Sequence, residues 1–299
     1  MKKNTLTEKA YVLITPARNE GAHIAKTIKS VVSQTVLPEK WVIVNDGSSD
    51  HTADIVNEYA AKHHFIKLVN ISRQGQRNFG SKARAFKHGH EYLRNVDFGF
   101  FGNLDADVEF GSDYFEKILE NFHANPQLGL AGGIILEYDG NEFIEQNTRL
   151  NSVSGAVQLF RYQCYEQIGG YLPLELGGID AVAETMARQH GWEVQTFAAL
   201  KVLHHRRVAA IKGKILPARF RQGVMNYSLG YHPLFQLARC LFRIKDRPYF
   251  SGSLMMLLGY GWASFLRHPK AVPDDFMQYL RSEQKSRLGS FFRSVKSRA

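Results

Sequence analysis

Phe98-Gly99-Phe100-Phe101-Gly102-Asn103-Leu104-Asp105-Ala106-Asp107 reads as a strand that stops on two carboxylates. The run is apolar and aromatic as far as Leu104, then turns acidic with only one small residue between the acids. Two carboxylates placed in this way reach one divalent cation, directly or through water. Mg²⁺ and Mn²⁺ prefer such oxygen ligands and bridge readily to a diphosphate. A solvated acidic turn has the same composition, so the meaning of the triplet depends on the elements around it.

Upstream, the chain alternates between short β-rich runs and helical spacing. Tyr11-Val12-Leu13-Ile14-Thr15 is a strand closed by Pro16. Ile24 to Ser33 carries apolar residues at helical intervals. Trp41-Val42-Ile43-Val44 is a second strand ending on Asn45-Asp46-Gly47, and Thr52 to Ala61 a second helix. Ile66-Lys67-Leu68-Val69-Asn70 is a third strand, followed by a helix over Ser81 to Arg94. This rhythm predicts an α/β fold with a mostly parallel sheet and helices on both faces. Ligands of such sheets bind at the carboxyl ends of the strands. Pro16 to Glu20, Asn45 to Asp50 and Asp105 to Asp107 all fall there.

The 299 residues carry a net charge of +10, unevenly distributed. Residues 1–200 hold 19 Lys and Arg against 24 Asp and Glu, a balance of −5; residues 201–299 hold 19 against 4, a balance of +15. A basic last third on a mildly acidic body predicts an anionic partner for that third, either nucleic acid or anionic lipid. No zinc-finger spacing or RNA-binding aromatic motif is present, and an acidic body would repel a phosphate backbone, so nucleic acid is not expected. Two cysteines, Cys164 and Cys240, cannot build a disulfide framework and fit a reducing compartment. The polar N-terminus lacks an apolar run of signal-peptide length before the first strand, so a cytoplasmic location is expected.

Beyond Ile211 basic and aromatic residues interleave, and an uncharged stretch runs from Tyr249 to Leu266. It falls short of the ~20 predominantly apolar residues of a membrane span and is diluted by glycine and serine. An interfacial or buried segment is therefore expected. Phe276, Tyr279 and Leu280, with Leu288, Phe291 and Phe292, alternate with Arg281, Lys285, Arg287 and Arg293 as in an interfacial amphipathic helix. A solvated basic helix packed on the domain has the same pattern. Residues 1–210 are expected to form the first domain, in halves of about 10–108 and 109–210, and residues 211–299 a basic helical appendage.

Taken in order, Ile14-Thr15-Pro16-Ala17-Arg18-Asn19-Glu20, then Val44-Asn45-Asp46-Gly47-Ser48-Ser49-Asp50, then Leu104-Asp105-Ala106-Asp107 resemble the motifs of GT-A-type inverting glycosyltransferases of family 2. The resemblance covers roughly residues 10–205 and implies the Rossmann-like GT-A fold. It implies transfer of a sugar from a nucleoside-diphosphate sugar, a UDP-sugar first, to a saccharide or lipid-linked acceptor in polysaccharide or glycolipid assembly. By that resemblance Pro16, Ala17, Arg18, Glu20 and Asp46 line the donor pocket, and Asp105, Ala106 and Asp107 serve a Mn²⁺ or Mg²⁺ ion and the ribose-diphosphate. Gly80-Ser81-Lys82-Ala83 resembles a Gly-Lys-Ala segment near the donor, one residue wider, which brings in Lys82 and the nearby Arg77.

Gly177-Gly178-Ile179-Asp180 resembles the head of the acceptor helix, where many members carry Glu-Asp eleven residues before a Gly-aromatic pair. Asp180 lies eleven before Gly191-Trp192, and Ile179 stands where the preceding acid is expected. The resemblance implies that Asp180 is the general base, and Glu184, one turn along, is the second candidate. Helix capping accounts for an acid at this position equally well. Downstream, His204 or His205 completes a metal site in some GT-A-type enzymes, and Arg206 and Arg207 lie next to them. Arg161 resembles an Arg that precedes an Ile-Gly-Gly-Tyr segment, here Ile168 to Tyr171. The expected location is peripheral, on the inner face of the cytoplasmic membrane. Two other classes share these features: a nucleotidyltransferase, which usually has a denser glycine loop than Pro16 to Gly21, and a non-catalytic nucleotide-binding scaffold.

Overall fold

The structure is a computed structural model, and it describes residues 10–71, 80–138, 140–146, 149–205, 215–245 and 248–296. Arg77, Arg206 and Arg207 lie outside the described residues, as do the side chains of Phe291, Phe292 and Arg293. The described residues up to Glu175, with those from Ile179 to His205, form one compact unit. Leu176–Gly178 join the described residues from Ile215 onward in a second.

The first unit begins with β1 (Tyr11–Ala17), α1 (Ile24–Val32), β2 (Lys40–Asp46), α2 (Thr52–Ala60), β3 (Ile66–Ile71), α3 (Gly80–Glu91) and β4 (Phe100–Leu104). These four strands pair in parallel in the order β3-β2-β1-β4. All of β4 and nearly all of β1 and β2 are buried, which fits uninterrupted apolar runs covered on both faces by helices. Trp41, fully buried, donates its indole N–H to the Thr15 hydroxyl at 2.9 Å, so its one polar atom is satisfied inside the core.

The register sets the site. Ala17 lies opposite Asn45 and Ile14 opposite Asn103, so the ends of β1, β2 and β4 fall on one edge. The chain leaves β1 for β2 on one side and reaches β4 on the other, a switch point at which open α/β sheets bind ligands.

After β4 the parallel order breaks. The chain continues through β5 (Val108–Phe110), α4 (Tyr114–Ala124), β6 (Leu128–Tyr138), β7 (Phe143–Glu145), β8 (Val157–Arg161), α5 (Tyr162–Gln167), α6 (Ile179–Gln189) and β9 (Glu193–His204). The sheet proceeds β4-β8-β6-β9-β5, with β8 antiparallel to both neighbours and β5 antiparallel to β9. The α/β sheet with flanking helices is as expected, but its second half is mixed, not mostly parallel. Short β-rich pieces in the sequence do not disclose their direction. Only Asp105-Ala106-Asp107 separate β4 from β5, although three strands stand between them in the sheet. Four strand spacings would span about 19 Å if flat, whereas the connection reaches at most about 14 Å. The sheet must therefore curl, and the acidic triplet bridges its mouth.

The second unit contains α7 (Ile215–Ser228), α8 (Pro233–Phe242), α9 (Tyr249–Phe265) and α10 (Asp274–Lys296). A Cβ on Gly223 would stand 2.0 Å from the Met256 carbonyl oxygen, and one on Gly259 2.0 Å from that of Phe220. The backbones of α7 and α9 therefore touch, which only glycine permits. The buried Asn226 amide donates to Gln236 Oε1 at 2.9 Å, and the Tyr260 hydroxyl to the Tyr231 carbonyl at 2.7 Å. The apolar residues at the start of α10 do not form the interfacial face expected of them. Phe276, Met277 and Leu280 are buried within the unit, and Gln284 accepts from the His232 amide at 2.8 Å. Of the two patterns its sequence allows, the first half of α10 takes the packed one. Cys164 and Cys240 are buried free thiols. Among the described residues, no helix is long and apolar enough to cross a membrane.

Candidate active site

The loops after β1 and β2 are laced together. Asn19 adopts a left-handed backbone (φ 52°), which asparagine tolerates better than most residues. There its amide donates to Ser48 Oγ at 3.0 Å, and its side-chain oxygen accepts from the Ser49 amide at 2.8 Å. The Glu20 amide donates to Thr52 Oγ1 at 2.8 Å and the Gly21 amide to Asp50 Oδ2 at 2.9 Å. Burial pushes the Asp50 carboxyl up, but hydrogen bonds from Thr52 and the Gly21 amide outweigh it and hold it below its ordinary value. Asp50 and Asn19 thus serve as loop fasteners. Pro16 and Asp46 are half-buried, while Ala17 and Glu20 are buried. Arg18 is half-buried, and its Nη1 is buried with no hydrogen-bond partner.

The second half of the site is built around Gly155. Its carbonyl accepts from Asn103 Nδ2 at 2.7 Å and from Lys82 Nζ at 3.2 Å. Lys82 also pairs with Asp105 Oδ1 at 2.7 Å, and the Asp105 amide donates to the Ala156 carbonyl at 2.8 Å. A Cβ on Gly155 would stand 2.4 Å from Asp180 Oδ2. One glycine thus brings together the head of α6, the end of β4 and the α3 lysine, elements far apart in sequence. Burial works to lower the Lys82 pKa, but Asp105, Asp180 and Asp107 together hold it above the ordinary lysine value. Burial raises the Asp105 carboxyl; Lys82 opposes this and Asp107 adds to it.

Asp107 is buried, with Ala106 beside it. His204 Nε2 stands 3.3 Å from Asp107 Oδ1, and its Nδ1 4.0 Å from Glu137 Oε1. Burial disfavours the His204 imidazolium, yet Asp107, Asp105 and Glu137 more than offset this and raise its pKa. Asp105, Asp107 and His204 each offer one ligand atom, all within 4.8 Å of one another. Carboxylate oxygens with an imidazole nitrogen fit a divalent first-row ion. The adjacent His205 is drawn elsewhere: its Nε2 meets Glu109 Oε2 at 2.9 Å, and its ring stacks on His23 at 5.8 Å. β9 ends at His204, and His205 follows it with its amide donating to the Asp107 carbonyl at 2.9 Å.

Glu184 is buried and committed to the scaffold. It accepts from the Val153 amide at 2.9 Å, from Ser152 Oγ at 3.0 Å and from Arg188 Nη1 at 3.2 Å. Burial raises its pKa, while Arg188 and these hydrogen bonds pull it down. Arg161 is likewise engaged, donating to the Leu128 and Phe122 carbonyls at 3.1 and 2.7 Å. Gly155, Asn103 and Glu137 are not among the residues singled out from the sequence. Asn103 has a legible signal, because an amide in an apolar strand needs a partner. Gly155 has none, since its importance lies in what a side chain there would displace.

A curled α/β sheet whose strand ends gather a carboxylate–imidazole cluster beside a lysine is an arrangement that could hold a divalent cation together with an anionic ligand. The chain belongs to glycosyl transferase family 2, whose family model matches residues 12–176. A poly-β-1,6-N-acetyl-D-glucosamine synthase of Staphylococcus epidermidis is 34% identical over 115 residues, 38% of this chain and 26% of that protein. Its Staphylococcus aureus (strain COL) counterpart is 31% identical over the same length. The matched segment therefore spans about a quarter of these relatives. Among solved structures, TarS 1–349 of S. aureus in complex with UDP-GlcNAc superposes with a TM-score of 0.55 at 14% identity, covering 93% of this chain and 83% of that one. The Pyrobaculum calidifontis mannosyltransferase PcManGT, in complex with GDP-Man and Mn²⁺, gives 0.53 at 14% identity, covering 97% and 88%. At such identities the likeness shows the fold alone, and that fold is the GT-A type expected.

Proposed function

We propose that the chain transfers a sugar from a nucleoside-diphosphate sugar to a hydroxyl acceptor with inversion at the anomeric carbon. The observation that carries this reading is the convergence on Gly155 of Asp180, Lys82 and Asp105, next to Asp107 and His204. In this reading Asp180 takes the proton of the acceptor hydroxyl as its oxygen attacks the anomeric carbon. The bond from that carbon to the diphosphate breaks on the opposite face. The Lys82 ammonium and the unpartnered Arg18 Nη1 neutralise charge on the departing diphosphate. Pro16, Ala17, Glu20 and Asp46 border the nucleoside. Asp105, Asp107 and His204 would hold Mn²⁺ or Mg²⁺, which when bound supplies Lewis-acid stabilisation of the diphosphate. Glu184 is better read as a positioning residue, because its oxygens are occupied by Ser152, Val153 and Arg188.

A UDP-sugar is the first donor to test, since the name of the S. epidermidis relative contains N-acetylglucosamine and TarS is described with UDP-GlcNAc. The acceptor in this reading is a saccharide or lipid-linked glycan, met at the inner face of the cytoplasmic membrane. Residues 1–210 would be the catalytic domain and 211–299 its appendage.

The test is release of nucleoside diphosphate from a panel of nucleotide sugars, with and without Mn²⁺. Metal-stimulated release from one donor class supports the reading. Pyrophosphate release from a nucleoside triphosphate supplied together with a sugar 1-phosphate, with no nucleoside diphosphate released from the nucleotide sugars, indicates a nucleotidyltransferase. Tight nucleotide binding without turnover indicates a scaffold.

A further inference from the structure

The second unit inverts the usual arrangement of a surface helix. No charged residue occurs along the 17 residues of α9. Its buried side is small: Gly252, Ser253, Gly259 and Ala263, with Met256 and Tyr260. Its outer side is large and apolar, with Phe250, Leu254, Leu258, Trp262 and Phe265 between 41% and 82% exposed. Set out at 100° per residue, the outer residues centre about 180° from the buried ones, on the opposite side of the helix. A surface helix of a water-soluble domain carries charged and polar residues on that side. The neighbouring α8 repeats the pattern, exposing Leu234, Leu237 and Leu241. Apolar faces of this extent on a folded surface mark a contact site.

The charges around the face select its partner. Residues 233–270 contain six Lys and Arg and one acid, Asp246. Lys245 is exposed between α8 and α9, and Arg267 just beyond α9, while Tyr249 and Trp262 stand near the two ends of α9. Exposed apolar residues flanked by cations, with aromatics near the boundary, suit the headgroup zone of an anionic bilayer. At 1.5 Å per residue α9 is about 25 Å long, short of the ~30 Å hydrocarbon layer. It fits lying in the interface, not crossing it.

We infer that the outer faces of α8 and α9 form a monotopic docking surface for an anionic lipid bilayer, with α9 embedded along its length in the plane of the interface. This surface replaces the α10 face that the sequence suggested. It stands independently of the proposed sugar transfer.

The test uses the full chain with phosphatidylcholine vesicles, with and without phosphatidylglycerol, read by co-sedimentation and by Trp262 emission. The expected result is sedimentation with the phosphatidylglycerol vesicles, weakened by salt, and a blue shift of emission that is lost in Trp262→Phe. Leu258→Asp and, separately, Phe265→Asp should each lower vesicle partition roughly tenfold or more. Lys245→Glu combined with Arg267→Glu should remove the preference for phosphatidylglycerol. These residues are exposed, and unchanged circular dichroism will show that the variants fold. Failure of the wild type to bind either vesicle, or wild-type binding by both aspartate variants, overturns the proposal. So does a dimer in sedimentation velocity that Leu258→Asp dissociates, which would assign the face to a second copy of the chain. Nucleoside diphosphate release by the aspartate variants should match wild type, so failure of docking and failure of sugar transfer read out separately.

Discussion

The two units solve opposite problems with glycine. In the sheet unit, Gly155 lets charged groups converge: Asp180, Lys82 and Asp105 meet where a side chain would keep them apart. In the helical unit, Gly223 and Gly259 let α7 and α9 touch, so the large apolar residues of α9 are left on its outer side. One unit therefore gathers polar groups inward at its strand ends, as a site for chemistry requires. The other presents apolar groups outward, as a surface for contact requires. Burial alone does not distinguish a functional from a structural residue in either. Asp107 and Glu184 are both buried carboxylates, but one lies in a ligand cluster and the other is consumed by backbone and side-chain donors.

The comparison breaks most directly if the convergence on Gly155 proves irrelevant to turnover. Asp107→Ala and Asp180→Asn are each expected to lower the rate by about 10³-fold in a folded protein. Wild-type-like turnover in either purified variant removes its assigned role. Gly155→Ala is expected to lower the rate by about 10²-fold by displacing Asp180. Donor affinity, measured by calorimetry, should change much less.

The helical unit offers the matching test. Gly259→Val should destabilise it by about 1–3 kcal/mol, because a side chain must push α9 off the Phe220 carbonyl. Hydrogen exchange is expected to quicken across residues 215–290 and not in β1 to β4. His204→Ala should weaken Mn²⁺ binding by at least about tenfold in a paramagnetic-resonance titration. His205→Ala should weaken it less, since His205 is paired with Glu109. The smallest effect on turnover is expected for Glu184→Gln, which keeps one acceptor oxygen but replaces the other with a donor and so should lower the melting temperature more than the activity. Complete loss with an unchanged melting temperature would restore Glu184 as a candidate base.

Much of the first half was legible because its signals are local. Strand and helix runs from Tyr11 to Leu104 follow the periodicity of single elements, and the observed boundaries lie within about three residues of those read from the sequence. The acidic triplet was legible for the same reason. The choice between His204 and His205 was not, because the two are alike in sequence and differ only in the partners folding brings them, Asp107 for one and Glu109 for the other. The packing of Phe276 and Leu280 was equally hidden: a helical stripe shows that a face is apolar but not what covers it.

The sequence by itself determined the α/β class, the set of strand-end loops that carry polar residues, the family, and the excess of positive charge in the last third. Each of these depends on composition, spacing or local geometry. Tertiary structure alone decided that the sheet curls and turns mixed after β4, that Gly155 is the meeting point of the site, and that His204 rather than His205 joins Asp105 and Asp107. It also decided that α9, and not the start of α10, leaves its apolar face uncovered. These outcomes depend on which distant segments come into contact, and a side chain's role follows from the neighbours that folding brings to it.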